Sequence, residues 1–162
     1  MGKINKIAVM TSGGDSPGMN AAIRSVVRTC AFYDKECIGV YRGYQGMIEG
    51  DFTTLTARNI NNIINKGGTI LKSARSDEFR TPEGRKRAFK QLKDNNIDGL
   101  VVIGGDGSFT GGVVFNKEYN FPSKFTHRYV NINTKNTVTT IRLINVYISS
   151  SFNFLICLIY IT

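Results

Sequence analysis

The chain has 162 residues, of which 41% are hydrophobic and 20% charged. This length fits one domain with a hydrophobic core, or one domain plus an appendage, and the composition argues against global disorder. The formal net charge of +9 favours anionic partners, such as nucleic acid, a membrane surface or phosphorylated metabolites. Cys30, Cys37 and Cys157 lack metal-ligand spacing, which is typical of free thiols in a reducing cytoplasm.

The charge is distributed unevenly along the chain. Residues 1–122 hold 17 Lys and Arg against all 12 acids, whereas residues 123–162 hold four Lys and Arg and no acid. The first part is therefore only mildly basic, and it lacks the aromatic-interleaved basic stripe that is typical of nucleic-acid binding. No secretory signal is evident. We expect a cytoplasmic protein with neither nucleic acid nor membrane as a partner.

The glycines divide the chain at nearly the same place. All 17 lie between Gly2 and Gly112, and residues from 123 onward show no helix cap, glycine turn or clean hydrophobic period. The final FNFLICLIYI is about half as long as a membrane span, so a membrane tail is the alternative interpretation. We predict a domain over residues 1–122. We assign no domain to residues 123–162, for which out-of-frame translation or a decayed gene end is our hypothesis.

Strand and helix patterns alternate along residues 1–122, which predicts a three-layer α/β/α, Rossmann-like fold with a mostly parallel sheet. Extended segments are predicted at residues 6–10, 37–41, 69–74 and 100–103, the last of them central. Helices are predicted from Ser16 with Asp15 or Ser16 as N-cap, at residues 59–66, from Thr81 to about residue 96, and at residues 108–118. A glycine-containing loop is predicted at residues 42–50.

Two predicted strands end in glycine turns that lead into helices, TSGGDSPG at residues 11–18 and GGDGS at residues 104–108. Backbone N–H groups approach phosphate oxygens closely where Cβ atoms are missing, and a helix N-terminus adds partial positive charge. Because ligands gather at the carboxyl ends of parallel strands, the two turns predict a polyphosphate site with Asp106 as a Mg²⁺ ligand. The alternative is that the glycines serve tight turns only and that Asp106 caps a helix.

The arginines divide into three groups. Arg75 follows an extended segment at the expected ligand edge, where it forms a phosphate clamp or else a surface salt bridge. Arg24 and Arg28, spaced i, i+4, present a two-pronged anion site or a solvated helix face. Residues 85–87 (RKR) are predicted to lie on a solvated helix face. His127, the only histidine, is given no catalytic role.

Three motifs in order carry a resemblance to a known family: TSGGDSPGMNAAIR at residues 11–24, NKGGTILKSARSDEFR at 65–80 and IDGLVVIGGDGS at 97–108. Together they resemble the N-terminal part of bacterial-type, ATP-dependent 6-phosphofructokinase, in register from about residue 6 to residue 122. A GGDG turn alone also resembles NAD kinases and diacylglycerol kinases. The resemblance implies a cytoplasmic homotetramer that transfers the γ-phosphoryl group of MgATP to fructose 6-phosphate in glycolysis.

The resemblance also implies roles for residues of the donor site. Gly14 would approach ATP through its backbone, and Arg75 and Ser76 would lie against the nucleotide. The phosphate turn would comprise Gly105, Asp106, Gly107 and Ser108, with Asp106 serving Mg²⁺. Glycine at position 107 implies ATP as donor, because pyrophosphate-using relatives typically carry an acid there.

A second implied site is regulatory. By resemblance, Arg24, Arg28 and Arg58 would help to bind an ADP or phosphoenolpyruvate effector at a subunit interface, although the register of Arg58 is off by about one residue.

The sequence departs from the family after Pro122. The family continues with PGTIDND, whose first acid is the catalytic base, whereas this chain continues with SKFTHRYVNIN and has no Asp or Glu after Glu118. The second lobe and its sugar-phosphate arginines are also absent. We therefore assign no catalytic residue and expect no phosphofructokinase turnover from this chain alone. The alternatives are a nucleotide-binding remnant without turnover and a polypeptide that does not fold stably.

Overall fold

A computed structural model describes residues 4–127, which form one five-stranded sheet with helices packed on it. The strands are β1 (Lys6–Thr11), β2 (Glu36–Val40), β3 (Phe52–Leu55), β4 (Gly99–Gly104) and β5 (Ser123–His127). The helices are α1 (Met19–Phe32), α2 (Gly43–Glu49), α3 (Pro82–Asp94) and α4 (Asp106–Tyr119), with a 3-10 turn at Glu78–Arg80. No helix within residues 4–127 is long and apolar enough to span a membrane.

The strand order is β3-β2-β1-β4-β5, and every neighbouring pair is parallel except β2 with β3. The mostly parallel sheet and the interior place of the LVVI strand are therefore confirmed. From the middle strand β1, the chain adds β2 and β3 on one side of the sheet and then β4 and β5 on the other side. The strand order therefore reverses between β1 and β4. Since open α/β sheets bind ligands where the strand order reverses, the carboxyl ends of β1 and β4 mark the expected ligand position.

Two hydrophobic clusters cover the two faces of the sheet, which confirms the three-layer arrangement. Successive strand residues point to opposite faces, so Met10 and Val102 pack with α2, α3 and α4, whereas Val9 and Ile103 pack with α1. Each fully buried side chain of this kind contributes about 1.5–3 kcal/mol. Cys30 and Cys37 are free and buried, as predicted for core thiols.

Helix α3 begins as the sequence predicts. The side chain of Thr81 accepts a hydrogen bond from the N–H of Gly84 at 3.1 Å, and Pro82 occupies the first helical position. The prediction for α1 is wrong in detail, because its N-cap is Gly18 in the left-handed region (φ 96°) and not Asp15 or Ser16.

The predicted loop at residues 42–50 contains a helix, α2. Its glycines signal close packing: a Cβ atom on Gly46 would collide with the carbonyl oxygen of Tyr41. Gly43 and Gly46 are buried, so the helix lies directly against the strand ends. Glycine spacing alone does not distinguish such a helix from a loop.

The predicted helix at residues 59–66 is a series of turns. Asn59 competes with helix formation there, since its side chain accepts a hydrogen bond from the Thr56 N–H at 2.7 Å and donates one to the Thr54 carbonyl at 3.0 Å. Ile60 and Ile63 are still buried against α1, so their apolar spacing reflects burial rather than a helix.

The extended segment predicted at residues 69–74 does not join the sheet. Its place beside β2 is taken by β3, an antiparallel strand that was not predicted. At the other edge, β5 pairs with β4 and carries the sheet five residues past residue 122. The division into domains stays a prediction, and residues 128–162, with the predicted apolar tail, lie outside the described residues.

The prediction that residues 85–87 form a solvated face is wrong for Arg85, which is only 8% exposed. Its guanidinium pairs with Glu118 of α4 at 2.6 and 2.7 Å and donates to the carbonyl oxygens of Phe79 and Arg80 at 3.1 and 2.6 Å. Arg85 therefore joins α3, α4 and the 3-10 turn, whereas Lys86 is exposed.

The Arg85–Glu118 pair predicts a pH dependence of stability. The hydrogen bond from Arg85 holds the pKa of Glu118 below its ordinary value, which is about 4.3 in an unfolded chain. The stabilisation is therefore complete above about pH 4.3 and is lost as the pH falls through the folded-state pKa. We expect Glu118→Gln to lower the melting temperature at pH 7 and to make its fall between pH 5 and pH 3 shallower. Parallel melting curves against pH for both proteins would contradict this assignment.

Candidate functional site

The two predicted phosphate turns lie side by side. Because β1 and β4 are parallel neighbours, both turns leave the same edge of the sheet. The N–H of Ser12 donates to the carbonyl of Ile103 at 2.9 Å, and the buried hydroxyl of Ser108 donates to that of Ser12 at 3.0 Å. Ninety-six residues separate the two serines. The fold thus joins the turns into one unit.

Glycine is required where the turns cross. A Cβ atom on Gly104 would lie 2.8 Å from both the carbonyl oxygen of Ser12 and the Cβ of Ser108. Such contacts are tighter than real Cβ atoms allow, so this residue permits the close approach of the turns. Gly107 differs, because a Cβ atom there would meet nothing within 4 Å. The surface over Gly107 is open to a ligand.

Asp106 is exposed at the start of α4 and follows Gly105, whose backbone is extended (φ −112°, ψ −171°). The carboxylate therefore lies in the first turn of a helix, beside the positive end of its dipole. Within residues 4–127, no group of three or more His, Cys, Asp or Glu side chains could hold a metal ion. A cation at Asp106 would thus need most of its ligands from a bound anion and water.

A loop that we call the Arg75 loop, residues 72–76, reaches the same edge. The hydroxyl of Thr11, at the end of β1, donates to the carbonyl of Lys72 at 2.8 Å. Ser76 donates from its hydroxyl to the side-chain oxygen of Gln45 on α2 at 2.8 Å. Arg75 is exposed and forms no ion pair with another described residue, so the predicted alternative of a surface salt bridge is not formed among residues 4–127.

Sequence reasoning missed an aromatic support beneath the phosphate turn. The ring of Tyr44 stacks on that of Phe79, with centroids 4.0 Å apart, and its hydroxyl donates to the carbonyl of Ser108 at 2.5 Å. Burial raises the pKa of Tyr44, which keeps this hydroxyl protonated as a donor. The sequence feature that could have indicated this contact is an aromatic residue, Tyr44, between Gly43 and Gly46 of α2.

The remaining predicted site residues lie in the bend after β1, on α1 and in the turns near residue 58. Gly14 is exposed in the bend between β1 and α1. Arg24 is half-buried and Arg28 exposed on α1, and Arg58 is exposed in the turns that pack against this helix. Their binding roles stay predictions.

A family model described as Phosphofructokinase matches residues 6–147 of the chain. The chain belongs to the phosphofructokinase family. The matched range runs past residue 122, the predicted end of the domain.

Curated relatives agree with this family. The ATP-dependent 6-phosphofructokinase of Cytophaga hutchinsonii is 59% identical over 119 residues, which cover 74% of this chain and 36% of the relative. The protein of the same name from Halothermothrix orenii is 55% identical over 120 residues, again 74% of this chain and 36% of the relative. The chain therefore spans about a third of the length of these curated relatives.

Solved structures agree on the fold. Phosphofructokinase from Saccharomyces cerevisiae superposes with a TM-score of 0.75 at 38% identity, covering 77% of this chain and 20% of that one. A pyrophosphate-dependent phosphofructokinase from Marinobacter aquaeolei superposes with a TM-score of 0.64 at 16% identity, covering 76% and 33%. The second likeness bears on the fold alone.

Proposed function

We propose that this phosphofructokinase-family chain binds MgATP at the joined glycine turns and provides the donor side of phosphoryl transfer to fructose 6-phosphate. The observation that carries the proposal is the Ser12–Ser108 hydrogen bond, which holds two glycine turns together where the strand order reverses. Several relatives bear the name ATP-dependent 6-phosphofructokinase, which supports ATP as donor and fructose 6-phosphate as acceptor.

The turn at residues 104–108 fits phosphate groups for two reasons. Its last three residues form the first turn of α4, whose N-terminus favours negative charge. The surface over Gly107 is open, so a phosphate can approach the backbone. Arg75 adds a guanidinium that no described carboxylate neutralises, and a guanidinium binds phosphate in a bidentate manner. Gly14 and Ser76 would contact the same nucleotide.

A magnesium ion also fits this turn. Mg²⁺ in nucleotide sites is usually held by one or two carboxylates together with substrate phosphates and water. Asp106 provides one exposed carboxylate beside the phosphate turn, and no cluster of further acids is needed. When bound, the ion would neutralise charge on the phosphates of ATP.

The proposed role of this chain's own residues is binding and orientation. Ser12 and Tyr44 fix Ser108 from its hydroxyl and its carbonyl, so the phosphate turn is held before the nucleotide arrives. Such preorganisation lowers the ordering cost of binding. The effector role of Arg24, Arg28 and Arg58 belongs to the assembled homotetramer of the family and is proposed for that state.

Gly107→Asp tests the choice of donor. The open space at residue 107 accommodates the side chain, and an acid in the first turn of α4 does not weaken the helix. Its charge would repel the ATP phosphates, so we expect the dissociation constant of MgATP to rise at least about tenfold, measured by calorimetry on the 162-residue chain.

Gly107→Asn is the matched control. It places a side chain of nearly the same size in the same open space but adds no charge. We expect it to change the MgATP dissociation constant less than about twofold, because the repulsion of the phosphates depends on the carboxylate charge. No saturable binding by the unaltered chain, or equal weakening by both variants, would overturn the proposal.

A further inference from the structure

The Arg75 loop is held only at its ends. Residues 73–75 belong to no helix or strand and make no backbone hydrogen bond to another described residue. Leu71 before the loop and Phe79 after it are buried. The start of the loop is held by two backbone hydrogen bonds, from the Arg42 N–H to the Leu71 carbonyl at 2.9 Å and from the Lys72 N–H to the Thr69 carbonyl at 3.2 Å. The position of Arg75 depends in addition on the side chains that bond to Lys72 and Ser76.

The first side chain that holds the loop is that of Thr11, a fully buried residue. Its hydroxyl proton goes to the carbonyl oxygen of Lys72 at 2.8 Å, so in its 2.9 Å contact with Thr69 the Thr69 hydroxyl is the donor. Thr69 in turn accepts from the N–H of Leu71 at 3.2 Å. Every donor in this group has an acceptor, which fixes the start of the loop to the end of β1.

The second side chain that holds the loop is that of Gln45, through its carboxamide. Its nitrogen donates to the carboxylate of Glu49 at 2.7 Å, which leaves its oxygen to accept from the hydroxyl of Ser76 at 2.8 Å. Arg42 donates to the same Glu49 at 2.6 Å, and the Ser76 hydroxyl accepts from the N–H of Phe79 at 3.2 Å. Both the carboxamide and the hydroxyl thus have a defined orientation.

We propose that Thr11 and Gln45 are positioning residues, which hold the Arg75 loop so that the guanidinium of Arg75 lies at the phosphate turns. Thr11 is suited to this role because the next residue, Ser12, is bonded to Ser108 of the second turn. The carboxyl end of β1 thus positions both the phosphate turn, through Ser12, and the Arg75 loop, through Thr11. The inference rests on the proposed function, since it names what aligns that site for a nucleotide polyphosphate.

Two variants of the 162-residue chain each remove one of the hydrogen bonds that hold the Arg75 loop, and a third variant is the control. Thr11→Val keeps the shape of the side chain and removes its hydroxyl, and Gln45→Ala removes the carboxamide. The control, Asn116→Ala, deletes a side-chain hydrogen bond to the Phe121 carbonyl near the end of α4, away from the Arg75 loop. We expect the first two to raise the MgATP dissociation constant about three- to tenfold, and the control to leave it within about twofold.

Two further results test whether Thr11 holds the loop and whether it acts on MgATP through Arg75. Trypsin should cut the free protein after Lys72 or Arg75 several-fold faster in Thr11→Val than in Asn116→Ala, as located by mass spectrometry. In addition, the effect of Thr11→Val on MgATP affinity should vanish in an Arg75→Ala background, because Thr11 acts through Arg75.

The outcomes separate the two proposals. MgATP binding that Thr11→Val weakens equally with and without Arg75, or does not weaken at all, overturns the inference and leaves the proposed function standing. No saturable MgATP binding by the unaltered chain overturns both. Unchanged trypsin cutting in Thr11→Val and Gln45→Ala contradicts the claim that these residues hold the loop.

Discussion

The purified 162-residue chain is expected to release no ADP in a fructose-6-phosphate-dependent manner, even at saturating MgATP. A phosphofructokinase reaction needs a carboxylate that takes the proton of the sugar hydroxyl. All 12 acids of the chain lie at or before Glu118. Near the phosphate turns, Asp106 is the proposed metal ligand, and the carboxylate of Asp15 lies against Gly68. The family's PGTIDND motif, whose first acid is that base, does not occur in the sequence.

The size of the expected loss follows from two separate contributions. A general base typically accelerates a reaction about 10²- to 10⁴-fold. Correct placement of an acceptor beside the donor is worth about 7–11 kcal/mol, and the described residues contain no second lobe that could place a sugar phosphate. Phosphoryl transfer depends mainly on such placement and on electrostatics. The combined loss puts turnover below detection.

The assay needs a positive control and a binding control. The ATP-dependent 6-phosphofructokinase of Cytophaga hutchinsonii, added to the same mixture, should restore ADP release. Calorimetry on the same preparation separates a chain that binds MgATP without turnover from one that does not bind. Release of ADP by the chain alone, dependent on fructose 6-phosphate and abolished by Asp106→Ala, would show that the acid motif is dispensable.

The parts of the fold that were predicted correctly are those specified by local sequence. The LVVI run before the second glycine turn forms the interior strand β4, between β1 and β5, and Thr81 with Pro82 starts α3. The two glycine turns were expected at one edge of the sheet because parallel strands share that edge, and the Ser12–Ser108 bond confirms that they meet there. In each case the deciding residues are close together in sequence.

The parts that were missed depend on contacts between distant residues. Residues 69–74 have an extended pattern, but their polar atoms bond to Thr11 and Asn20 instead of to a strand. Arg85 lies in a run of charged residues, and its burial depends on Glu118, 33 residues away. Spacing on one helix cannot show such a partner. The same limit hid the Tyr44–Phe79 stack beneath the phosphate turn.

Arg85→Met is expected to lower the free energy of unfolding by about 3 kcal/mol, the low end of the cost of breaking a buried pair. Methionine replaces the buried stem but leaves Glu118 and the carbonyl oxygens of Phe79 and Arg80 without their donor. The side chain of Glu118 is one-third exposed, so water solvates part of the remaining charge and the loss stays near that lower limit. Urea denaturation followed by circular dichroism measures the change.

Lys86→Met is the matched control, because it is the same removal of a cation one residue along α3, at an exposed position. We expect it to change the free energy of unfolding by less than about 0.5 kcal/mol. The double variant Arg85→Met, Glu118→Gln should recover part of the loss, since the unpaired carboxylate is then gone. If Arg85→Met and Lys86→Met changed the free energy of unfolding equally, the Arg85–Glu118 ion pair would add nothing to stability. In that case the 3-10 turn that carries Phe79 would be held by its other contacts, among them the stack of Phe79 on Tyr44 and the hydrogen bond from the Phe79 N–H to Ser76.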